Sequence, residues 1–115
     1  MDSILTSIKK LLGPEEADTH FDPDIIMYIN TALMALNQIG VGPEAGFSIS
    51  DKTTTWATYL GANANLEGVK SFIYLKVKLV FDPPSNTPLI EAIERQISEL
   101  EFRLLIQPKG GETVG

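Results

Sequence analysis

The chain has no cysteine. Disulfides, thiolate catalysis and cysteine-ligated metal sites are therefore excluded, and the absence fits assembly in a reducing cytoplasm. Histidine is scarce too. The single one, His20, lies in a run of acids with no nucleophile to activate, and reads most simply as a solvated or capping residue. Basic residues are outnumbered: nine Lys and Arg against fifteen Asp and Glu give a net charge of −6. Non-specific binding to a phosphate backbone draws on clustered bases and is disfavoured here. No apolar run is long enough to cross a membrane without meeting a charge. In the N-terminal MDSILTSIKKLLG the lysines follow the apolar residues, the reverse of a secretory signal. The glycines from Gly40 to Gly46 have no GxxxxGK[ST] pattern and no following base, which excludes a phosphate loop. Asp18, Asp22 and Asp24 lack the glycine turn and further oxygen ligands of a calcium loop, and Pro23 interrupts them.

What is present is ordinary for a globular protein. The 115 residues are 43% apolar and 21% charged, enough for one domain with a modest core. The densest apolar run, LEGVKSFIYLKVKLVFDPP from Leu66 to Pro84, must be covered by the rest of the chain. Its period is ambiguous. Ile73, Leu75, Val77, Leu79 and Phe81 alternate as a strand would, whereas Val69, Phe72, Ile73, Val77 and Val80 recur as on a helix. Length favours a helix, as do Asn65 as an N-cap and Glu67 in the first turn. A strand here would remove the basis for an all-helical fold.

The flanking segments read more clearly as helices. Ile4, Leu5, Ile8, Leu11 and Leu12 form an amphipathic stripe that Asp2 or Ser3 can cap and Gly13-Pro14 ends. After the acidic connector PEEADTHFD, Asp22 is placed to cap a helix beginning at Pro23, with Phe21 stapled onto Met27. Its broad apolar stripe at 25, 29, 32/33, 36 and 39/40 suits a core-facing helix, which Gly40 stops. A loop holding a short extended piece at Phe47 and Ile49 leads to a short helix, capped by Ser50 or Asp51, that runs to about Leu60 and contains Trp56. Thr87-Pro88 opens the last helix, where Ile90, Ile93, Ile97, Leu100 and Leu104 follow a 3-4 seam. Glu91–Arg95 and Glu99–Arg103 are favourable i, i+4 pairs. The expected fold is all-α: one small domain of four to five helices over residues 1–106, with long central and C-terminal helices, then a flexible tail over 107–115.

The order of these motifs carries a resemblance. The DPDIIMYINT helix, the loop IGVGPEAGFSIS, the Trp56 helix, KSFIYLKVKLVFDPP and the final RQISELEFRL are similar to the tailed-phage head–tail connector (adaptor) family of Gram-positive phages and prophages, over roughly residues 1–106. The resemblance implies a virion structural protein with no catalytic or cofactor site. It implies a ring of copies, dodecameric in the virion, that docks on the portal protein, accepts the next neck or tail-completion protein and lets DNA pass without specific binding. It places the protein in the virion neck, and in the host cytoplasm during assembly.

Ring contacts join different faces of neighbouring copies. The early acids Glu15, Glu16, Asp18 and Asp24 and the central lysines Lys70, Lys76 and Lys78 are candidates for such faces. The bland alternative is that the acids are a solvated face and the lysine stems cover apolar surface. Phe47 and Trp56 are candidates for a partner anchor, although aromatic residues more often close one end of a small core. Two other functions compete. A terminase small subunit or similar regulator needs a basic recognition helix, and the last helix has only Arg95 and Arg103 among four glutamates. A metal enzyme would have to use the acids alone.

Overall fold

A computed structural model describes residues 3–13, 18–61 and 66–106. It contains five helices in the order α1 (Ile4–Leu12), α2 (Asp22–Gln38), α3 (Trp56–Leu60), α4 (Leu66–Phe81) and α5 (Thr87–Ile106). Among the described residues the only β pairing is an isolated antiparallel bridge between Ser3 and Thr55. The fold is all-α. The expected tail at 107–115 and the expected cap Asn65 lie outside the described residues.

The Leu66–Pro84 run resolves as a helix, with Val69, Phe72, Ile73 and Val77 buried on one side. In a strand, Phe72 and Ile73 would point to opposite faces; in the helix they share one, and a single core covers both. This central helix packs against α1, α2 and α5. α2 presents Ile25, Ile29, Ala32, Leu33 and Leu36 to the core, and α1 adds Ile4, Leu5 and Ile8. α5 packs on α4 through its predicted seam, burying Ile93, Ile97 and Leu104 with Ile90 and Leu100 half-buried. Each fully buried aliphatic side chain contributes roughly 1.5–3 kcal/mol.

Three helix starts differ from the sequence expectation. α2 begins one residue earlier than expected: Phe21 occupies the cap position and no side chain caps the helix. Asp22 is instead drawn into an ion pair with Lys9, Nζ to Oδ1 2.9 Å. Met27, the expected staple partner of Phe21, is more than half exposed, and the Phe21 ring packs edge-on against Phe81, 5.4 Å between centroids. α3 is capped by Thr55, whose hydroxyl accepts the Thr58 N–H at 3.3 Å. Asp51 is used up in a local turn, accepting the Thr53 N–H at 2.8 Å. The hydrogen bonds from Thr53 hold the exposed Asp51 carboxyl below its ordinary range. For α5 the cap is Asn86, whose Oδ1 accepts the Leu89 N–H at 2.8 Å, and Thr87-Pro88 is already inside the helix. α1 follows expectation: the Ser3 hydroxyl accepts the Thr6 N–H at 3.2 Å and Gly13 closes the end at φ 115°.

The long α2–α3 connection is ordered by two asparagines on α2. Asn30 bonds both backbone groups of Ile49, donating to its carbonyl at 2.9 Å and accepting its N–H at 2.8 Å. Ile49 thus takes its backbone hydrogen bonds from a helix side chain, not from a strand. Asn37 donates to the Pro43 carbonyl at 2.9 Å.

Candidate functional site

The residues singled out in the sequence do not converge. Glu15 and Glu16 lie outside the described residues. Asp18 and Asp24 are both exposed. The Asp18 carboxylate accepts the His20 N–H at 3.0 Å, a local turn that also accounts for the histidine segment. The three lysines spread round α4, and their contacts are with its own residues, with Asp82 just past its end and with the Trp56 ring. Lys70 stands 3.7 Å from Glu67 and 5.8 Å over the Trp56 ring. Lys76 lies 5.6 Å over Phe72. Lys78 stands 3.6 Å from Asp82 and donates to its carbonyl at 3.2 Å. All three are half-buried, their stems lying on apolar surface. Among the described residues no ion pair joins the early acids to these lysines.

A lysine that sequence reading passed over makes that link instead. Lys9, on α1, is only 3% exposed; it pairs with Asp22 and donates to the Asp18 carbonyl at 2.7 Å. One buried ammonium therefore ties the end of α1 to the start of α2 across the acidic connector. The signal was weak, because Lys9 flanks the α1 stripe and scores as solvent-facing by residue type alone.

Of the aromatic candidates, Trp56 is built into the core. Trp56 is 1% exposed, and its Nε1–H donates to the Ser7 hydroxyl at 3.0 Å. It closes the core between α1 and α3 and leaves no face for a partner. Phe47 is half-buried, tilted against Tyr59 at 4.8 Å. Burial pushes the Tyr59 phenol well above its ordinary range. Its hydroxyl has no hydrogen-bond partner among the described residues.

The surface is unusual at positions not singled out as contacts in the sequence. Met27, Met34, Phe102 and Leu105 are each more than half exposed, Phe102 at 61%. Scattered apolar surface is normal in a monomer. Here, however, the methionines sit on one outward face of α2, and Phe102 with Leu105 near the end of α5. The available signal was negative: none of the four belongs to the buried stripe of its helix. A groove between α4 and α5, lined by Ser71, Tyr74, Gln96, Glu99 and Arg103 among others, is open and mixed in polarity. Among the described residues no group of His, Cys, Asp and Glu is placed to hold a metal. Among them, too, no helix is long and apolar enough to cross a membrane.

A family model described as phage connector protein matches residues 4–111, almost the whole chain. The chain belongs to the phage connector protein family. Its role is that of a head–tail connector, a structural part of the phage particle and not a catalyst. The match spans all five helices and runs past Ile106. No curated protein and no solved structure matches the connector chain. A connector works in contact with portal and tail components during phage assembly. What it offers them is surface, which is where the exposed apolar side chains of α2 and α5 and the acidic end of α2 become the relevant features.

Proposed function

We propose that this connector docks as a ring of copies, dodecameric in the virion, on the portal protein at the neck, and that the ring presents the site for the next neck or tail-completion protein. The observation that carries the reading is the family match over residues 4–111, which leaves no helix unaccounted for. The surface supports it. Four large apolar side chains more than half exposed on two outer helices are costly in a free monomer and are covered in an assembly. The net charge of −6 suits a channel wall that must let DNA slide, since a basic lining would bind phosphates and release counterions. Glu15, Glu16, Asp18 and Asp24 remain candidates for portal or neighbour contacts. Lys70 and Lys78 join only by exchanging their present ion pairs, Lys76 by leaving the Phe72 ring, and the half-buried Phe47 remains a candidate. The protein assembles in the host cytoplasm and ends in the virion neck.

The test is genetic. A phage carrying a stop codon early in this reading frame should accumulate DNA-filled or leaking heads and free tails that do not join, and supplying the chain from a plasmid should restore joining. Infectious, tailed particles without the chain would reject the reading.

A further inference from the structure

We propose that the outward faces of α2 and α5 are the two halves of a head-to-tail contact between neighbouring copies of this chain. Phe102 of one copy sits between Met27 and Met34 of the next, with Arg95 beside Asp24. The proposal rests on the ring assembly above and names the faces that build it.

The first support is direction. Residues on a helix turn by roughly 100° each, so the buried Ile25, Ile29 and Leu36 fix the core side of α2 and put Met27 and Met34 almost opposite it. On α5, Ile93, Ile97 and Leu104 fix the core side, and Phe102 and Arg95 fall almost opposite. Helix ends do not explain the exposure, since Met27 and Met34 lie well inside α2. Methionine is also the side chain that most readily moulds to an aromatic ring, with sulfur at the ring edge.

The second support is placement. α2 and α5 each pack on α4, so their outward faces lie on different flanks of the molecule. A closed ring needs two different complementary faces on every copy, which is what this arrangement supplies.

The third support is charge and register. From residue 11 to residue 51 there is no Lys or Arg, so the charges on α2 are all acidic, and Asp24 is exposed at its start. Arg95 is exposed, and among the described residues it forms no ion pair. The other α5 arginine, Arg103, is already held by Glu99 at 2.6 Å. At about 1.5 Å per residue, Arg95 lies about 10 Å before Phe102, and Leu105 about 4.5 Å after it. Asp24 lies about 10 Å before the midpoint of Met27 and Met34, and Met34 about 5 Å after that midpoint. Measured along the helix axes, the two ladders match when the helices run parallel: Asp24 level with Arg95, the methionine pair with Phe102, and Met34 with Leu105, Asp24 and Leu105 standing on the flanks of their helices beside the outward faces. An antiparallel arrangement moves Arg95 past Met34, away from the acids.

The chain has no cysteine, so introduced ones report cleanly. Met34→Cys, Leu105→Cys and the double variant are assembled on purified portal rings, oxidised and run on a denaturing gel. The double variant should give a ladder of covalent multimers, and each single variant only monomer. A covalent dimer from either single variant would mean that like faces meet, and overturns the proposal. So does a portal-bound double variant that gives no ladder, which would leave the portal as the partner of these faces. If the wild-type chain does not bind portal at all, the ring reading itself fails, a different result. A second measurement does not depend on the cysteines. Asp24→Arg and Arg95→Asp should each lower portal-bound occupancy several-fold with unchanged far-ultraviolet circular dichroism, and the double swap should restore it. Occupancy equal to wild type in both single variants overturns the contact.

Discussion

Ser7→Ala removes one oxygen from the core and leaves the Trp56 indole N–H without its acceptor. The donor is 1% exposed and the Ser7 side is almost as well buried, so water does not replace the lost 3.0 Å bond without rearrangement. Leaving a buried donor unsatisfied costs about 1–3 kcal/mol. The alanine also leaves little void, because only a hydroxyl is removed, so a value near 2 kcal/mol is expected. For a chain of 115 residues, unfolding entropy of about 2.1 cal/mol/K per residue converts this to a fall in melting temperature of roughly 8 °C. Urea unfolding checks it. Trp56 is the only tryptophan, so its fluorescence reports the α1–α3 end of the core while circular dichroism reports the helices. The two transitions should coincide and shift to lower urea with unchanged slope. A loss below about 0.5 kcal/mol, the size of an ordinary surface substitution, would refute the assignment of Trp56 to the core.

Three further outcomes follow from named contacts. Asp22→Ala takes the carboxylate partner from buried Lys9, which keeps the Asp18 carbonyl, and should cost about 2–3 kcal/mol; Lys9→Met, which removes the buried charge itself, should cost clearly less in the same thermal melts. Gly42→Ala should cost about 2–4 kcal/mol, because Gly42 stands at φ 86° and a Cβ there would lie 2.5 Å from the Tyr59 ring, forcing both strain and a shift of the ring; unchanged stability would mean that the loop over Tyr59 is free to move. Above about pH 10 the unfolded chain ionises Tyr59 while burial keeps the folded phenol protonated, so the unfolded state binds fewer protons and stability falls as pH rises, by at most about 1.4 kcal/mol per pH unit. Tyr59→Phe should lose this alkaline decline relative to wild type in urea titrations at pH 9 and pH 11, and parallel declines in the two proteins would contradict it.

The helices were legible in the sequence because apolar periodicity reports burial directly. The α5 seam and the α2 stripe were read residue by residue; the structure buries their central positions and leaves Ile90, Leu100 and Ile39 half-buried. The caps were less legible. Asp22, Asp51 and Thr87 are all good caps by type, but each has a near competitor: Lys9 takes Asp22, Thr53 takes Asp51, and Asn86 precedes Thr87. Which neighbour wins depends on where distant segments arrive, and local pattern does not contain that. The α2–α3 loop shows the same limit, since Asn30 meets Ile49 across nineteen residues. Candidate surfaces were the hardest to read. Charge runs drew attention to Lys70, Lys76 and Lys78, which the fold engages internally. Met27, Met34 and Phe102 look like further core residues until their angle round the helix is compared with the buried stripe. Of the expected i, i+4 ion pairs, Glu99–Arg103 closes at 2.6 Å and Glu91–Arg95 does not, which leaves Arg95 available at the surface.

Docking on a portal ring is the proposal on which the ring and its contacts depend. Native mass measurement of the purified cognate portal, with and without the chain, tests it most directly. Bound copies should raise the portal mass in steps of 12.6 kDa, saturating at one copy per portal subunit. A portal mass that does not change at any concentration of folded chain would contradict the claim.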